Sequence, residues 1–257
     1  MRKSVLLTLC LWIACAEAAF ADTRLRFVTL DFAPFSYLED GIVAGPGREL
    51  VDDICERIAI ECSFDAVPWR RALELMRSDA VDAMMPIGFN EDRARWLDYS
   101  PPMFATEYGF FVSASNPLDY SDVSQIAGMK IGVLAPSNSE RLLMSLREAL
   151  IERDETPIII ERHAKDELGM RKLAAGRLDA VFINQDRGWG LIDMERLGPK
   201  IRYAGDETET VFYTAIRKTY PNADLVEDFF DAWRGLYDQG KAQRIIRAFG
   251  LDPAPAE

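Results

Sequence analysis

The sequence predicts an α/β protein of two similar lobes, each a mostly parallel sheet flanked by helices. Short apolar segments alternate with amphipathic ones along the chain, which is the pattern of strands joined by helices. The unit at 75–85 (LMRSDAVDAMM) is similar to the unit at 172–182 (KLAAGRLDAVF), about a hundred residues later. Each combines a helix end, a small-residue break and an Asp-Ala pair that opens an apolar strand, so the chain contains the same unit twice.

The N-terminus predicts export. Basic residues start the chain, an apolar run covers 5–14, and the small–x–small pattern at 19–21 is typical of a cleavage site. We therefore expect residues 1–21 to be a signal peptide, since the run is too short to span a bilayer. A lipid anchor on Cys15 is the alternative, but Trp12 is unfavourable three places before such a cysteine.

The remaining chain is expected to fold as one compact protein. We place the first part of lobe I at 22–112, lobe II at 113–207, and a return segment with the C-terminal helices of lobe I at 208–257. The full chain has a net charge of −12, which argues against a nucleic-acid partner because such partners need a basic surface. No cofactor is expected, and the protein is expected to be a monomer.

The predicted elements of lobe I follow in order. They are a strand at 25–30, an aromatic loop at 31–37, a turn at 41–47, a helix through residues 50–58, a strand at 62–67, a helix at 69–76 and a strand at 81–87. Those of lobe II and the return are strands at 110–112, 130–134 and 157–160, a helix at 138–152, the second copy of the repeated unit, extended segments at 202–206 and 211–217, and helices at 225–237 and 241–249.

Two cysteines lie outside the expected signal peptide. Cys55 is on the apolar face of a predicted helix near its end, and Cys62 opens the next strand. A disulfide across this turn suits an oxidising compartment, and two buried free thiols are the alternative. His163 is the only histidine, and two thiols with six residues between them do not make a zinc site, so no metal is expected.

One arginine is a candidate ligand-binding residue. Asn90 can cap a short helix, and Arg93 falls in its first turn. A guanidinium beside free helix N–H groups can hold a carboxylate in two parallel hydrogen bonds, although a solvated arginine is the alternative. Ligands of open parallel sheets sit beyond the carboxyl ends of the strands, so 86–93 and 183–187 are expected to face one cleft.

Several motifs together give the chain a family resemblance. They are Ala33-Pro34-Phe35-Ser36, the Gly45 turn into a helix, Asp92-Arg93-x-x-x-x-Asp98-Tyr99-Ser100-x-Pro102, Lys130-Ile131-Gly132-Val133 and Gly176-Arg177-Leu178-Asp179-Ala180-Val181. Over nearly the whole mature chain, the sequence resembles the solute-binding proteins of polar amino-acid transporters, the type II two-lobe family known as solute-binding protein family 3.

The resemblance implies both a fold and a function. It implies the periplasmic-binding-protein-like type II fold and a periplasmic receptor of an ABC importer, which captures a small carboxylate-bearing solute and docks transiently on a membrane permease. It also implies no chemical turnover. The spacing of Cys55 and Cys62 looks like that of family members in which this pair is a disulfide.

Site residues follow from the same resemblance. Arg93 matches the arginine that holds the ligand's α-carboxylate, and Ser137 and Asn138 match a helix start that offers hydroxyl and N–H groups to it. Phe32 and Trp69 match positions that sandwich the ligand's side chain, with ordinary packing as the alternative. The remaining candidates are Arg70, which either reaches an acidic ligand group or is solvated, and Gly88, in a segment that replaces the family's small polar run.

Asn184 is the departure that bears most on the ligand. It stands where amino-acid binders usually place an aspartate for the ammonium group. An amide accepts a hydrogen bond but brings no charge, and charge-assisted hydrogen bonds are about twice as strong. The expected solute is therefore an unusual amino acid or another small carboxylate.

Two alternatives belong to other functional classes. Cyclohexadienyl dehydratases are similar to this family, and an enzyme of that kind needs a general acid, for which Glu49, Asp186 and Glu209 are candidates. Nothing in the local sequence distinguishes these three from solvated carboxylates. The other alternative is the extracytoplasmic sensor of a signalling protein.

Overall fold

A computed structural model describes residues 24–255. The predicted signal peptide and Cys15 lie outside the described residues. The strands are β1 Arg24–Thr29, β2 Tyr37–Glu39, β3 Ile42–Ala44, β4 Glu61–Ala66, β5 Ala83–Gly88, β6 Leu97–Tyr99, β7 Phe104–Ser113, β8 Lys130–Leu134, β9 Ile159–His163, β10 Ala180–Asn184, β11 Ile201–Arg217 and β12 Asp252–Pro253. The helices are α1 Pro46–Arg57, α2 Trp69–Arg77, α3 Glu91–Ala94, α4 Asn138–Glu152, α5 Asp166–Ala174, α6 Gln185–Met194, α7 Ala223–Asp238 and α8 Lys241–Ala248, with a 3-10 turn at Val123–Ile126.

One continuous sheet organises the described chain. Its strand order is β4-β1-β5-β11-β7-β10-β8-β9, with β6 added beside β11 and β12 beside β7. The strands β4, β1 and β5 are parallel in one half, and β10, β8 and β9 are parallel in the other. The two halves are joined by the antiparallel pair β7 and β11. This architecture confirms the predicted α/β class with mostly parallel strands flanked by helices.

The joining pair is more extensive than the sequence indicated. The predicted strand at 110–112 is the end of the ten-residue β7, and the extended segments at 202–206 and 211–217 are parts of β11. Pairing runs from Phe104 opposite Phe212 to Ser113 opposite Ile201, with register shifts around Gly205. The limits of the two lobes stay a prediction, with the chain crossing between the halves of the sheet along these strands.

The Asp-Ala pair of the repeated unit has one structural role in both copies. The carboxylate of Asp82 accepts the backbone N–H of Arg26 at 3.0 Å, and that of Asp179 accepts the backbone N–H of Lys130 at 2.7 Å. Each aspartate thereby ties the start of one parallel strand to its neighbour. The repeat therefore encodes sheet geometry, which explains why it was visible in the sequence.

Two local features complete the fold. Cys55 and Cys62 form a disulfide, with their Cα atoms 6.2 Å apart, which confirms the predicted pair. The predicted turn at 41–47 contains β3, which pairs with the preceding β2 in a small hairpin, and these three-residue strands are too short to show alternation. None of the helices between residues 24 and 255 has the length and apolar character needed to cross a membrane.

Candidate functional site

A cleft lies beyond the carboxyl ends of strands from both halves of the sheet, as the topology of parallel sheets predicts. It contains an inner cavity of about 50 Å³ and an adjoining outer cavity of about 250 Å³. The two cavities share Leu30, Trp69, Leu134 and Asp166. The segments that follow β5 and β10 both reach the inner cavity, so the expectation that they face one cleft is met.

Arg93 lies at the inner cavity and is 8% exposed. Asn90 caps α3 as predicted, since its side chain accepts the N–H of Arg93 at 2.9 Å. The guanidinium donates to the carbonyl of Gly88 at 2.9 Å and lies 5.0 Å from the ring centre of Trp69. It forms no ion pair with any residue from 24 to 255. Burial lowers the pKa of this guanidinium, because desolvation disfavours the charged form.

The start of α4 faces the same cavity. Ser137 is the N-cap, and its hydroxyl accepts the N–H of Glu140 at 3.0 Å while donating to the carbonyl of Leu134 at 2.6 Å. The Ser137 hydroxyl is therefore already engaged, which leaves mainly backbone N–H groups to offer a ligand. First-turn N–H groups have no intrahelical partner and carry the positive end of the helix dipole, so they favour an anion.

The side chain of Asn138 crosses the cleft. Its Oδ1 accepts from Nδ2 of Asn90 at 2.8 Å, and its Nδ2 donates to the carbonyl of Phe89 at 2.9 Å. Gly88 makes room for this contact, since a Cβ there would come within 2.8 Å of the Asn138 amide. Both residues line the inner cavity as predicted, but the amide of Asn138 bonds across the cleft to these two residues.

Further bonds span the cleft beside this one. The indole Nε1 of Trp69 donates to the carbonyl of Pro136 at 2.7 Å, and Arg141 pairs with Asp92 at 2.9 Å. On the other side, Arg187 lies 3.5 Å from the carbonyl of Ala33. The described conformation is therefore one in which the two halves of the cleft are in direct contact.

Two aromatic candidates line the inner cavity, and Arg70 does not. Phe32 and Trp69 are each buried and reach the cavity. Arg70 is exposed and absent from both cavities. Neighbouring residues of an α-helix point about 100° apart, so Arg70 turns to solvent because Trp69 turns to the cleft. Of its two predicted alternatives, the structure places Arg70 in the solvated one.

Asn184 is buried at the inner cavity, but its polar atoms are occupied. Its Oδ1 caps α6 by accepting the N–H of Arg187 at 3.0 Å. Its Nδ2 donates to Oγ1 of Thr106 at 2.7 Å and to the carbonyl of Glu107 at 3.2 Å. The amide thus holds α6 against β7, and its one acceptor atom is already used by the helix.

Asp166 is a cleft residue that sequence reasoning missed. It is the first residue of α5, is 8% exposed, and lines both cavities. No hydrogen bond to its carboxylate is found within residues 24–255, and its ion-pair contact is Nε of Arg187 at 3.8 Å. Burial raises the pKa of Asp166 to about 6. Its position directly beyond the parallel strand β9 was the available signal.

Comparison with known proteins places the chain in a family. Residues 25–252 match the family described as bacterial extracellular solute-binding proteins, family 3. The chain belongs to this family. The match covers all of the sheet and both walls of the cleft, and it confirms the resemblance found from the motifs.

Named relatives of this solute-binding protein are similar over nearly their whole length. The lysine/arginine/ornithine-binding periplasmic protein of Escherichia coli is 20% identical, with 97% of each chain covered. The L-arginine-binding protein of Pseudomonas aeruginosa is 28% identical, with 95% of each chain covered. Both relatives are binding proteins.

Solved structures show the same fold. A histidine kinase sensor domain with similarity to periplasmic binding proteins gives a TM-score of 0.80 at 19% identity, covering 91% of this chain and 99% of that one. The substrate-binding protein AbpA of Streptococcus pneumoniae, bound to L-arginine, gives a TM-score of 0.74 at 20% identity, covering 88% and 94%. At these identities the likeness concerns the fold.

Proposed function

We propose that this solute-binding protein is a periplasmic receptor of an ABC importer that captures a small carboxylate-bearing solute, an amino acid or a related compound. The predicted signal peptide at 1–21 exports it. Lobe I at 22–112 and 208–257 closes on lobe II at 113–207, and the closed form docks on the permease. The protein acts as a monomer and releases its solute chemically unchanged.

The observation that carries this proposal is the environment of Arg93. Its guanidinium is buried at the inner cavity, and among residues 24–255 its contacts are one carbonyl hydrogen bond and the Trp69 ring. An uncompensated buried charge is costly, so a solute carboxylate that pairs with it is strongly favoured. The first-turn N–H groups of α4 converge on the same cavity and add a second anion-binding element.

The relatives support the solute class. Their names give lysine, arginine and ornithine as solutes, all of which carry an α-carboxylate. The cleft of this chain keeps an arginine and a helix start for that group. The bonds that span the cleft support the closure step, because the closed form holds contacts that an open form lacks.

The geometry argues against all three candidate acids of the dehydratase alternative. Glu49 and Glu209 are exposed, and Asp186, whose carboxylate accepts from Thr106 at 2.6 Å, lines neither cleft cavity. A general acid must reach the reacting group, so none of the three is placed for this role. These three carboxyl groups therefore give no support to the dehydratase.

Replacing Arg93 tests the carboxylate site. We expect Arg93→Gln to weaken binding of any carboxylate solute found in a thermal-shift screen by about a hundredfold or more, because the carboxylate is left buried and unpaired. Arg95→Gln is the matched control, since Arg95 is an exposed arginine one residue beyond α3. Isothermal titration calorimetry measures both variants.

Two results would contradict the proposal. One is wild-type affinity for the carboxylate in Arg93→Gln. The other is recovery of a chemically altered solute by mass spectrometry after incubation, which would replace the receptor by an enzyme.

A further inference from the structure

Two opposite charges line the inner cavity, and neither has a hydrogen-bonded charged partner within residues 24–255. Arg93 and Asp166 are the only charged residues of its lining, and each is 8% exposed. The other lining residues are apolar, aromatic or neutral polar. A cavity with one buried cation and one buried anion is complementary to a solute that carries both charges.

The carboxylate of Asp166 lies close to Arg187 but accepts no hydrogen bond from it. The Nε of Arg187 lies 3.8 Å from its Oδ2, beyond hydrogen-bond distance, and this buried Nε has no hydrogen-bond partner in the described part of the chain. The remaining contacts of Arg187 go elsewhere, since its Nη2 pairs with Glu167 at 2.7 Å and its guanidinium lies 5.5 Å from the Phe32 ring centre. The carboxylate of Asp166 therefore keeps its acceptor capacity for another group.

Asn184 brings no charge to this interaction. Its Oδ1 already accepts one hydrogen bond as the cap of α6, and its amide N–H groups donate to Thr106 and Glu107. A solute ammonium at this cavity needs acceptors, preferably anionic ones. Asp166 is the anionic acceptor that the cavity provides.

From these contacts we infer that Asp166 binds a cationic group of the solute, so that the solute is a zwitterion held by Arg93 at its carboxylate and by Asp166 at its cation. This inference rests on the proposed carboxylate site and deepens it. Asp166 lies where the inner and outer cavities meet, so it can be reached by an α-amino group or by the cation of a side chain. The shared chemistry is an ammonium or guanidinium donor.

The test compares matched solutes on matched variants. The probes are the twenty amino acids with β-alanine and γ-aminobutyrate, and each binder is repeated as its analogue without the amino group. Where L-arginine binds, 5-guanidinopentanoate lacks the α-amino group and L-citrulline lacks the side-chain cation, so these two probes identify which cation Asp166 holds. The variants are Asp166→Asn and, as control, Asp193→Asn, which removes the same charge from an exposed position on α6.

We expect Asp166→Asn to weaken an amino-bearing solute by about a hundredfold, while its deaminated analogue binds to the variant at least as tightly as to wild type. A merely structural role of Asp166 would weaken both solutes alike. The inference is overturned by equal losses, by wild-type affinity of the zwitterion in Asp166→Asn, or by a screen in which only carboxylates without a cation bind. If carboxylates bind and their affinity falls in Arg93→Gln but not in Asp166→Asn, the inference fails and the proposed function stands. If no carboxylate binds in the screen, both the inference and the proposed function fail.

Discussion

Asp166 is expected to oppose closure of the empty cleft. Closing buries its carboxylate beside Arg187 at 3.8 Å without a hydrogen bond among the described residues, and burial raises its pKa from 3.8 to about 6. The difference of roughly two pKa units, at about 1.4 kcal/mol each, corresponds to about 3 kcal/mol of penalty when the group is ionised. Asp166→Asn removes this penalty, so the ratio of closed to open protein should rise by up to about a hundredfold at pH 7.5.

The pH dependence has a definite sign. In the closed form the pKa of Asp166 is raised, so its carboxyl group binds a proton more tightly than in an open form, where the carboxyl is hydrated and has an ordinary pKa. The penalty is therefore absent below about pH 4 and complete above about pH 6. Two charged groups lie around Asp166: Arg187 lowers the pKa of Asp166, and Glu167 raises it. Tyr108 also interacts with Asp166, and the pKa of this tyrosine is strongly raised. Lowering the pH from 7.5 to 4.5 should favour closure of the solute-free wild type and leave Asp166→Asn less affected.

Small-angle scattering of the solute-free protein measures closure as a smaller radius of gyration. Wild type and Asp166→Asn are compared at both pH values, and the difference between them cancels groups that titrate in both proteins. The Asp193→Asn variant should follow the wild type. Identical radii for wild type and Asp166→Asn at both pH values would refute the reasoning, because they would show that ionised Asp166 costs closure nothing.

The remaining predictions concern the cleft and the disulfide. Gly88→Ala should weaken solute binding several-fold, because the new Cβ would lie 2.8 Å from Nδ2 of Asn138 and displace this amide from its hydrogen bond across the cleft, which is worth about 1 kcal/mol; calorimetry showing unchanged affinity would contradict this. Trp69→Phe removes the indole hydrogen bond across the cleft and should speed solute release several-fold in stopped-flow fluorescence, given about 1 kcal/mol for a neutral hydrogen bond. The Cys55→Ala/Cys62→Ala variant should lose about 2.5 kcal/mol of unfolding free energy in urea titrations, since the bond closes a short loop at sequence separation 7; an unchanged midpoint would argue against this.

The sequence predicted the residues whose roles are set locally. Asn90 and Arg93 are three positions apart, and the cap of a short helix fixes the backbone from which the guanidinium extends. The role of Asn184 is set by partners from β7 that lie 77 and 78 positions earlier in the chain, so no local pattern contains it. Asn184 lines the inner cavity, and only the structure shows that its Oδ1 caps α6.

Asp166 was missed for a related reason. An acidic residue at the start of a helix is usually a solvated carboxylate, so this is what the sequence predicts. Its ion-pair contact, Arg187, lies on α6, which is not adjacent in sequence. Arg70 is the opposite case, in which local sequence was sufficient. It is adjacent to Trp69 on one helix, and this alone predicts that the two side chains point in different directions.

The bonds that span the cleft have a consequence for how this protein can evolve. The contacts of Asn138 with Asn90, of Trp69 with Pro136 and of Arg141 with Asp92 contain no solute atom. They contribute the same free energy whichever solute is enclosed, so they raise the affinity for every solute equally and discriminate between none. Arg141 and Asp92 line neither cavity, so substitutions of this pair can change the residence time of the solute without altering which solute is accepted, whereas Trp69 and Asn138 also line the inner cavity and can affect both.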